Sequence, residues 1–406
     1  MDSLITAAAQ ALAAGDPLRA LNCVALRKDA PALALRGIAL AQIGDFDQAR
    51  VLLRRAARKF GPREAVPRAR CVLAEAEIAL VSRDLAWPAK ALAGALAALE
   101  RHGDVPNATH ARLLGIRRLF LIGRIDEAER VLSGLDPEPF APALQATHEL
   151  LVAAIAIRRL RTGAARAALA RAKTASALAG IPALTAEVDN ASAALDTPAA
   201  RLSARGRRRL LRLHEVEDLL QSDVLVVDAV RRTLRELDTA VSLATRPVLF
   251  ALLRGVGDAW PGDAPRADLI AQAFRTKRPD ESHRARLRVE IGRLRTAVRH
   301  LAAVVATERG FLLRPHRAGE VVVLSAPIDD RHAAVLALLT DGELWSSSAL
   351  ALALGSSQRA VQRALDSLAA EGKAQSCGRG RARRWTAPPV PGFATHLLLP
   401  VSLPID

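Results

Sequence analysis

Tyrosine is absent from this chain, and the other aromatics are few: four tryptophans and eight phenylalanines among 406 residues. Ala, Leu and Arg dominate instead, and these strong helix formers predict a mainly α-helical protein. Cysteine is nearly absent too. Cys23, Cys71 and Cys377 form no CxxC pair and no metal-ligand spacing, and so few thiols, odd in number, suit a reducing compartment. No uninterrupted apolar stretch approaches the roughly 20 residues that span a bilayer. The N-terminus carries Asp2 where a signal peptide would want positive charge, and Gln10, Gly15 and Asp16 interrupt its apolar run. A cytoplasmic protein without membrane contact is expected. Walker A, HExxH and GxSxG sequences are missing, and the nine histidines lie near no pair of carboxylates or cysteines at ligand spacing. No catalytic residue, metal or cofactor is expected, and an enzyme is not predicted.

What is present in excess is positive charge: +16 formally, with a pI of about 11.1. Such an excess favours nucleic acid or an anionic membrane as partner. Half the residues are hydrophobic and a quarter charged, the balance of a globular chain, long enough for two or three domains.

From Leu4 to about Leu195 apolar residues recur at helical spacing, broken by short Gly- or Pro-marked turns. A turn residue followed five positions later by Ala recurs at Gly15 to Ala20, Gly44 to Ala49, Asp84 to Ala89, Gly123 to Ala128 and Gly163 to Ala168. From Gly44 onward the period is about 40 residues, in the range of helical repeats. Glycine allows the tight turn and alanine the close helix crossing. Gly37, the Gly44-Asp45-Phe46 turn, Ala49 and Ala56 resemble a tetratricopeptide repeat. Residues 1–195 are therefore expected to form an α-solenoid of helical hairpins. Its concave side would bind a protein or small-molecule effector, or serve as scaffold and homodimer arm.

Residues 196–222 read as a basic helical connector. Arg201, Arg205, Arg207, Arg208, Arg209 and Arg212 lie over a helical period of Leu202, Leu210, Leu211, Leu213, Val216, Leu219 and Leu220. Either a solvated linking helix or a contact with DNA phosphates fits.

In 223–325, Val224 to Val227 suits an edge strand. Three helical segments follow, Arg246 to Arg254, Pro265 to Phe274 and Ser282 to Val304, and then a hairpin about Glu308-Arg309-Gly310. Leu287-Arg288-Val289-Glu290-Ile291-Gly292-Arg293-Leu294-Arg295 followed by Thr307-Glu308-Arg309-Gly310-Phe311 resembles the winged helix-turn-helix domain of OmpR/PhoB-type response regulators. The resemblance covers about 90 residues, Asp223 to Arg314. It implies a recognition helix and a wing on double-stranded DNA. Phe311 stands where the family commonly has tyrosine, and no receiver domain precedes, so phosphorelay control is not implied. On its own pattern the helix places Leu287, Ile291, Leu294 and Val298 on a buried stripe, leaving Arg286, Arg288, Arg293, Arg295 and Arg299 largely off it. Arg284 to Arg317 holds nine arginines against Glu290 and Glu308. Arg286, Arg288, Arg293, Arg295 and the wing's Arg309 are the candidate DNA contacts. His283 and His316 read as polar contacts beside them.

Residues 326–390 read as a second winged helix. Arg331 to Leu339 ends at Asp341-Gly342, Ser346 to Ser348 caps Ala349 to Leu354, and Ser356-Ser357 caps a helix to Glu371 closed by Gly372. This short helix, turn and capped longer helix, with its Leu368-x-x-Glu371-Gly372-Lys373 close, resembles MarR- and DeoR-like regulators. Ser357, Gln358, Arg359, Gln362 and Arg363 face away from Val361, Leu365 and Leu368. Arg379, Arg381, Arg383 and Arg384 make a basic wing. DNA contact is expected here, with protein contact as the alternative. Cys377 in that wing is either a redox-sensitive thiol or an ordinary small residue. The tail 391–406 is a strap or a dimer contact. The expected whole is a one-component, sequence-specific transcription regulator. The alternative is a helical-repeat adaptor whose winged helices touch protein or bind nucleic acid non-specifically.

Overall fold

A computed structural model describes residues 3–61, 63–82, 84, 87–274, 276, 280–327, 332–339, 345–354, 356–378, 380 and 383–387. The chain is mainly helical, with a smaller β component. None of the described helices is long and apolar enough to cross a membrane.

The N-terminal half is built from α1 (Ser3–Ala13), α2 (Pro17–Val24), α3 (Ala30–Gln42), α4 (Phe46–Lys59), α5 (Ala65–Val81), α6 (Ala89–Arg101), α7 (Val105–Leu121), α8 (Ile125–Leu132), α9 (Pro142–Arg158), α10 (Thr162–Ala179) and α11 (Pro182–Asp196). From α1 through α10, successive helices touch, and α1, α3, α5, α7 and α9 also touch one another in turn. Small residues permit this closeness. A side chain on Gly37 would stand 2.9 Å from Leu53 and 3.1 Å from the carbonyl oxygen of Ala49.

The turns explain the repeat. Gly15, Gly44 and Gly123 adopt positive φ, and the next residue's N–H donates back across the turn: Asp16 to the Ala11 carbonyl at 2.8 Å, Asp45 to Leu40 and Arg124 to Leu119 at 2.9 Å. Asp16 and Asp45 then accept from the Arg19 and Gln48 amides, capping the following helix. Ala20, Ala49 and Ala128 are fully buried. Two expected copies differ. Gly163 lies inside α10, and Leu160 takes the left-handed turn instead; the expected Ala168 is fully buried, as is Ala165, five positions after Leu160. Asp84 does close α5 by donating to the Ala79 carbonyl at 2.7 Å, but α6 starts only at Ala89, which is exposed. The same turn chemistry also occurs at Gly103-Asp104, between α6 and α7.

Leu195–Ala334 forms a compact unit of its own. It contains β1 (Ala200–Ala204), β2 (Arg207–Leu211), α12 (Leu213–Gln221), β3 (Leu225–Asp228), β4 (Thr233–Glu236), β5 (Thr239–Ser242), α13 (Pro247–Asp258), β6 (Ala264–Pro265), α14 (Arg266–Phe274), α15 (Glu281–Val298), β7 (Ala302–Ala306), β8 (Gly310–Pro315) and β9 (Val321–Ser325). Six strands pair in the order β2-β1-β9-β3-β4-β5, and β6-β8-β7 form a second, three-stranded sheet. Helix α13 packs on the larger sheet at Gly257, where a side chain would press on Val227 and Val323. Its other glycine, Gly255, admits Leu269 of α14.

The expected helical connector is thus corrected. Residues 200–211 form a hairpin, because Arg205 (φ 47) and Gly206 (φ 74) both turn left-handed, as a two-residue hairpin loop requires. Only α12 at its end is helical. The expected boundary at 222/223 falls inside one unit, since β1 pairs with β9. The run expected as an edge strand, β3, is central: it lies parallel to β9 and antiparallel to β4, and all four residues are buried.

The second unit joins residues 1–194 with the chain from Val335 onward. There α16 (Ala333–Leu339), α17 (Ser347–Leu354), α18 (Gln358–Ala370), β10 (Gln375–Cys377) and β11 (Arg384–Thr386) surround a core of Leu336, Leu339, Trp345, Leu350, Leu365, Leu368 and Trp385. Trp345 and Trp385 exchange both backbone hydrogen bonds at 2.8 Å. The Asp341-Gly342 turn and the tail 391–406 lie outside the described residues, as does the side chain of Cys377.

Candidate nucleic-acid interface

Helix α15 begins at Asp280, whose carboxylate accepts from the His283 amide at 2.9 Å and the Ser282 hydroxyl at 2.7 Å. These bonds, the backbone one foremost, hold the carboxyl well below the usual carboxylate range. Leu287, Ile291, Leu294 and Val298 are at most 2% exposed and lock the helix to α13, α14 and β7. Their spacing dictates the opposite face. Arg286, Arg288, Arg293 and Arg295 are all exposed there or along its flanks.

Each of these arginines is held locally. Arg286 stacks on the Phe274 ring at 4.5 Å. Arg288 donates to Glu281 at 3.3 Å and Arg293 to Glu290 at 2.9 Å. The Arg288 pair is exposed on both sides and contributes about 0–1 kcal/mol, so an anionic ligand can displace it, whereas Glu290 beside Arg293 is half-buried. Arg295 differs from the others: its Nε donates to the Val304 carbonyl at 2.7 Å, tying α15 to the hairpin.

The hairpin β7/β8 is held at its turn. The Thr307 hydroxyl donates to Asp263 at 2.6 Å and accepts from the Gly310 amide at 2.9 Å. Arg266 donates to the carbonyls of Glu308 at 2.5 Å and Thr307 at 2.7 Å. Arg309 is left exposed at the tip. Sequence reading missed Arg266 and Asp263 altogether, since both act across more than 40 residues of chain.

In the C-terminal module Ser357 caps α18, its hydroxyl accepting from the Ala360 amide at 3.3 Å, while Val361, Leu365 and Leu368 are buried. Arg359 and Arg363 are exposed. Gln358 donates to Ser347 at 3.1 Å, and half-buried Gln362 donates to Asp366 at 3.0 Å. Arg383 is exposed and stacks on Trp385 at 4.2 Å. Arg384 is a correction: it is only 8% exposed and donates to the carbonyl of Ser82, at the end of α5, so it is turned away from any ligand. A helix C-terminus favours a cation at its last carbonyls, which accounts for the placement. Arg379 and Arg381 lie outside the described residues.

Among the described residues no three His, Cys, Asp or Glu converge on a common point. Arginine-rich, core-locked α15 and the hairpin directly after it are the arrangement best suited to a polyanion. Comparison with protein-family models, with curated proteins and with solved structures found no match to this chain.

Proposed function

We propose that this protein is a sequence-specific, one-component DNA-binding transcription regulator. The observation that carries the reading is helix α15: four apolar side chains fix it in the core while Arg286, Arg288 and Arg293 stay exposed, and an arginine-tipped hairpin follows at once. In this reading Leu195–Ala334 is a winged helix-turn-helix of the OmpR/PhoB type, with α14 and α15 as its helix-turn-helix and β7/β8 as its wing. The α16–α18 module with β10/β11 is a second winged helix. Helices α1–α11 are an α-solenoid that takes a protein or small-molecule effector and supports a homodimer. Buried Arg384 is withdrawn from the DNA contacts of the second winged helix, where Arg359, Arg363 and Arg383 stay exposed, and α15 is the principal reader.

Capture of fragmented genomic DNA by the full-length protein tests this. Sharp sites that blur with Arg293→Ala are expected, and that substitution should cost about 1–3 kcal/mol at a base contact. Binding should fall with salt at a log–log slope of roughly −0.9 per neutralised phosphate. A slope near zero, or enrichment indifferent to Arg293→Ala and Arg363→Ala, would favour the adaptor reading.

A further inference from the structure

The outward side of α15 is not uniformly basic. Opposite the buried row of Leu287, Ile291, Leu294 and Val298, the 3.6-residue period places Val289. Arg286 and Arg293 run along one flank, and Arg288 along the other. Val289 is 55% exposed, the one large aliphatic side chain of this helix outside the core. One turn on, Gly292 leaves open space where a side chain would stand. Nothing in the fold accounts for a β-branched residue there: it forms helix less well than lysine or glutamate and buries little surface.

The charge of the flanks selects the occupant. Arginines on both flanks of an α-helix fit a duplex major groove, about 12 Å wide against a helix of about 10–12 Å. The flanking guanidinium groups then reach phosphates or guanine, and the middle of the face meets base edges. Only one apolar group is offered there, the 5-methyl of thymine.

Resting on the DNA-binding reading above, we propose that Val289 is a specificity-determining residue that recognises the thymine methyl group in the site bound by α15. It confers a preference for A·T over G·C at one base pair, between positions read or clamped by the arginines.

The test uses duplexes selected from random sequence by the full-length protein. Each thymine in a selected site is replaced in turn by deoxyuridine, which removes the methyl and leaves base pairing intact. At one position the wild-type protein should bind about four-fold more weakly, the factor for one buried methyl-sized group. At that position Val289→Ala should bind the thymine and deoxyuridine duplexes equally. Val289→Ala touches no core and improves helix propensity, so a melting temperature no lower than that of wild type serves as the folding control. Selected sites at which no deoxyuridine distinguishes wild type from Val289→Ala overturn the proposal while leaving DNA binding standing. Failure to select any site overturns the DNA reading, and the proposal with it.

Discussion

Gly310 sits where the backbones of β6 and β8 come closest. A Cβ at that position would lie 1.7 Å from the carbonyl oxygen of Ala264, 2.6 Å from its carbon and 3.0 Å from Cα of Pro265. All three are backbone atoms, so no side-chain rotation relieves the clash. With Gly310→Ala, β6 must part from β8, which breaks the Ala264–Phe311 and Pro265–Gly310 pairing and the Arg266 amide bond to the Arg309 carbonyl at 3.2 Å. Overpacking alone costs about 1–3 kcal/mol, and a lost hydrogen bond adds about 1 kcal/mol. The expected destabilisation is therefore about 2–4 kcal/mol, a fall of roughly 10 °C in the transition of a unit of this size. Gly292→Ala in the same unit should act in the opposite direction. Nothing stands within 4 Å of its would-be Cβ and it is mid-helix, so a gain of about 0.5–1 kcal/mol is expected. Thermal and urea unfolding of the full chain, with hydrogen exchange followed over peptides of 302–315, reads both. A Gly310→Ala protein within 0.5 kcal/mol of wild type (on the order of the error of such measurements), or an equal loss from both substitutions, would refute the packing deduced for the hairpin.

The remaining expectations concern charge and burial. Arg70 and Asp104 form an ion pair at 2.7 Å with side chains 5% and 8% exposed, so Arg70→Met strands a buried carboxylate and should cost about 3–5 kcal/mol by thermal unfolding. The Asp280 carboxyl is depressed in the folded state, so its cap on α15 is fully present above the ordinary value of 3.8 and is lost only as pH falls through the lower folded value. Exchange of the His283 amide should therefore stay protected from pH 7 to about pH 4, and Asp280→Ala should expose it throughout. Burial, and then the Glu75 carboxylate, pushes the Cys71 thiol up to about 12. Iodoacetamide at about pH 8 should modify the less buried Cys23 first and leave Cys71 intact until the protein is unfolded.

Local chemistry made the helices legible. Gly44-Asp45 announces a turn and a cap, Ser357 announces a helix start, and the stripe from Leu287 to Val298 announces a buried face. Where a turn lacked its usual residue the pattern failed: Leu160 adopts a conformation that costs a leucine about 1 kcal/mol, and tertiary packing overrides that preference. The connector misled because Leu202, Leu210 and Leu213 fit a helical period by spacing alone. The informative signal was the Arg205-Gly206 pair, two residues suited to a tight hairpin turn, after the alternating run Ala200–Ala204. Strands β4 and β5 were invisible, since Thr233–Glu236 and Thr239–Ser242 are only four residues each and gain order by pairing, β4 beside β3 and β5 beside β4. In the candidate site, the exposed arginines of α15 follow from helix geometry. Arg384 could not be told from its neighbours in an arginine run, because its burial depends on Ser82, 302 residues away. Arg266 was equally silent, as its partners Thr307 and Glu308 arrive only with the folded hairpin.

The chain enters the Leu195–Ala334 unit through β1 and leaves it through β9, and these are adjacent antiparallel strands with Arg201 opposite Ser325. Entry and exit are thus about one strand spacing apart, roughly 4.8 Å. A unit tethered at two neighbouring points is a cassette. It can be cut out of the gene and its severed flanks rejoined by a short linker, or it can be transplanted into a loop of an unrelated host, without rethreading either core. For such an architecture, exchange of the whole unit in one recombination step is an easier route to a new property than residue-by-residue change.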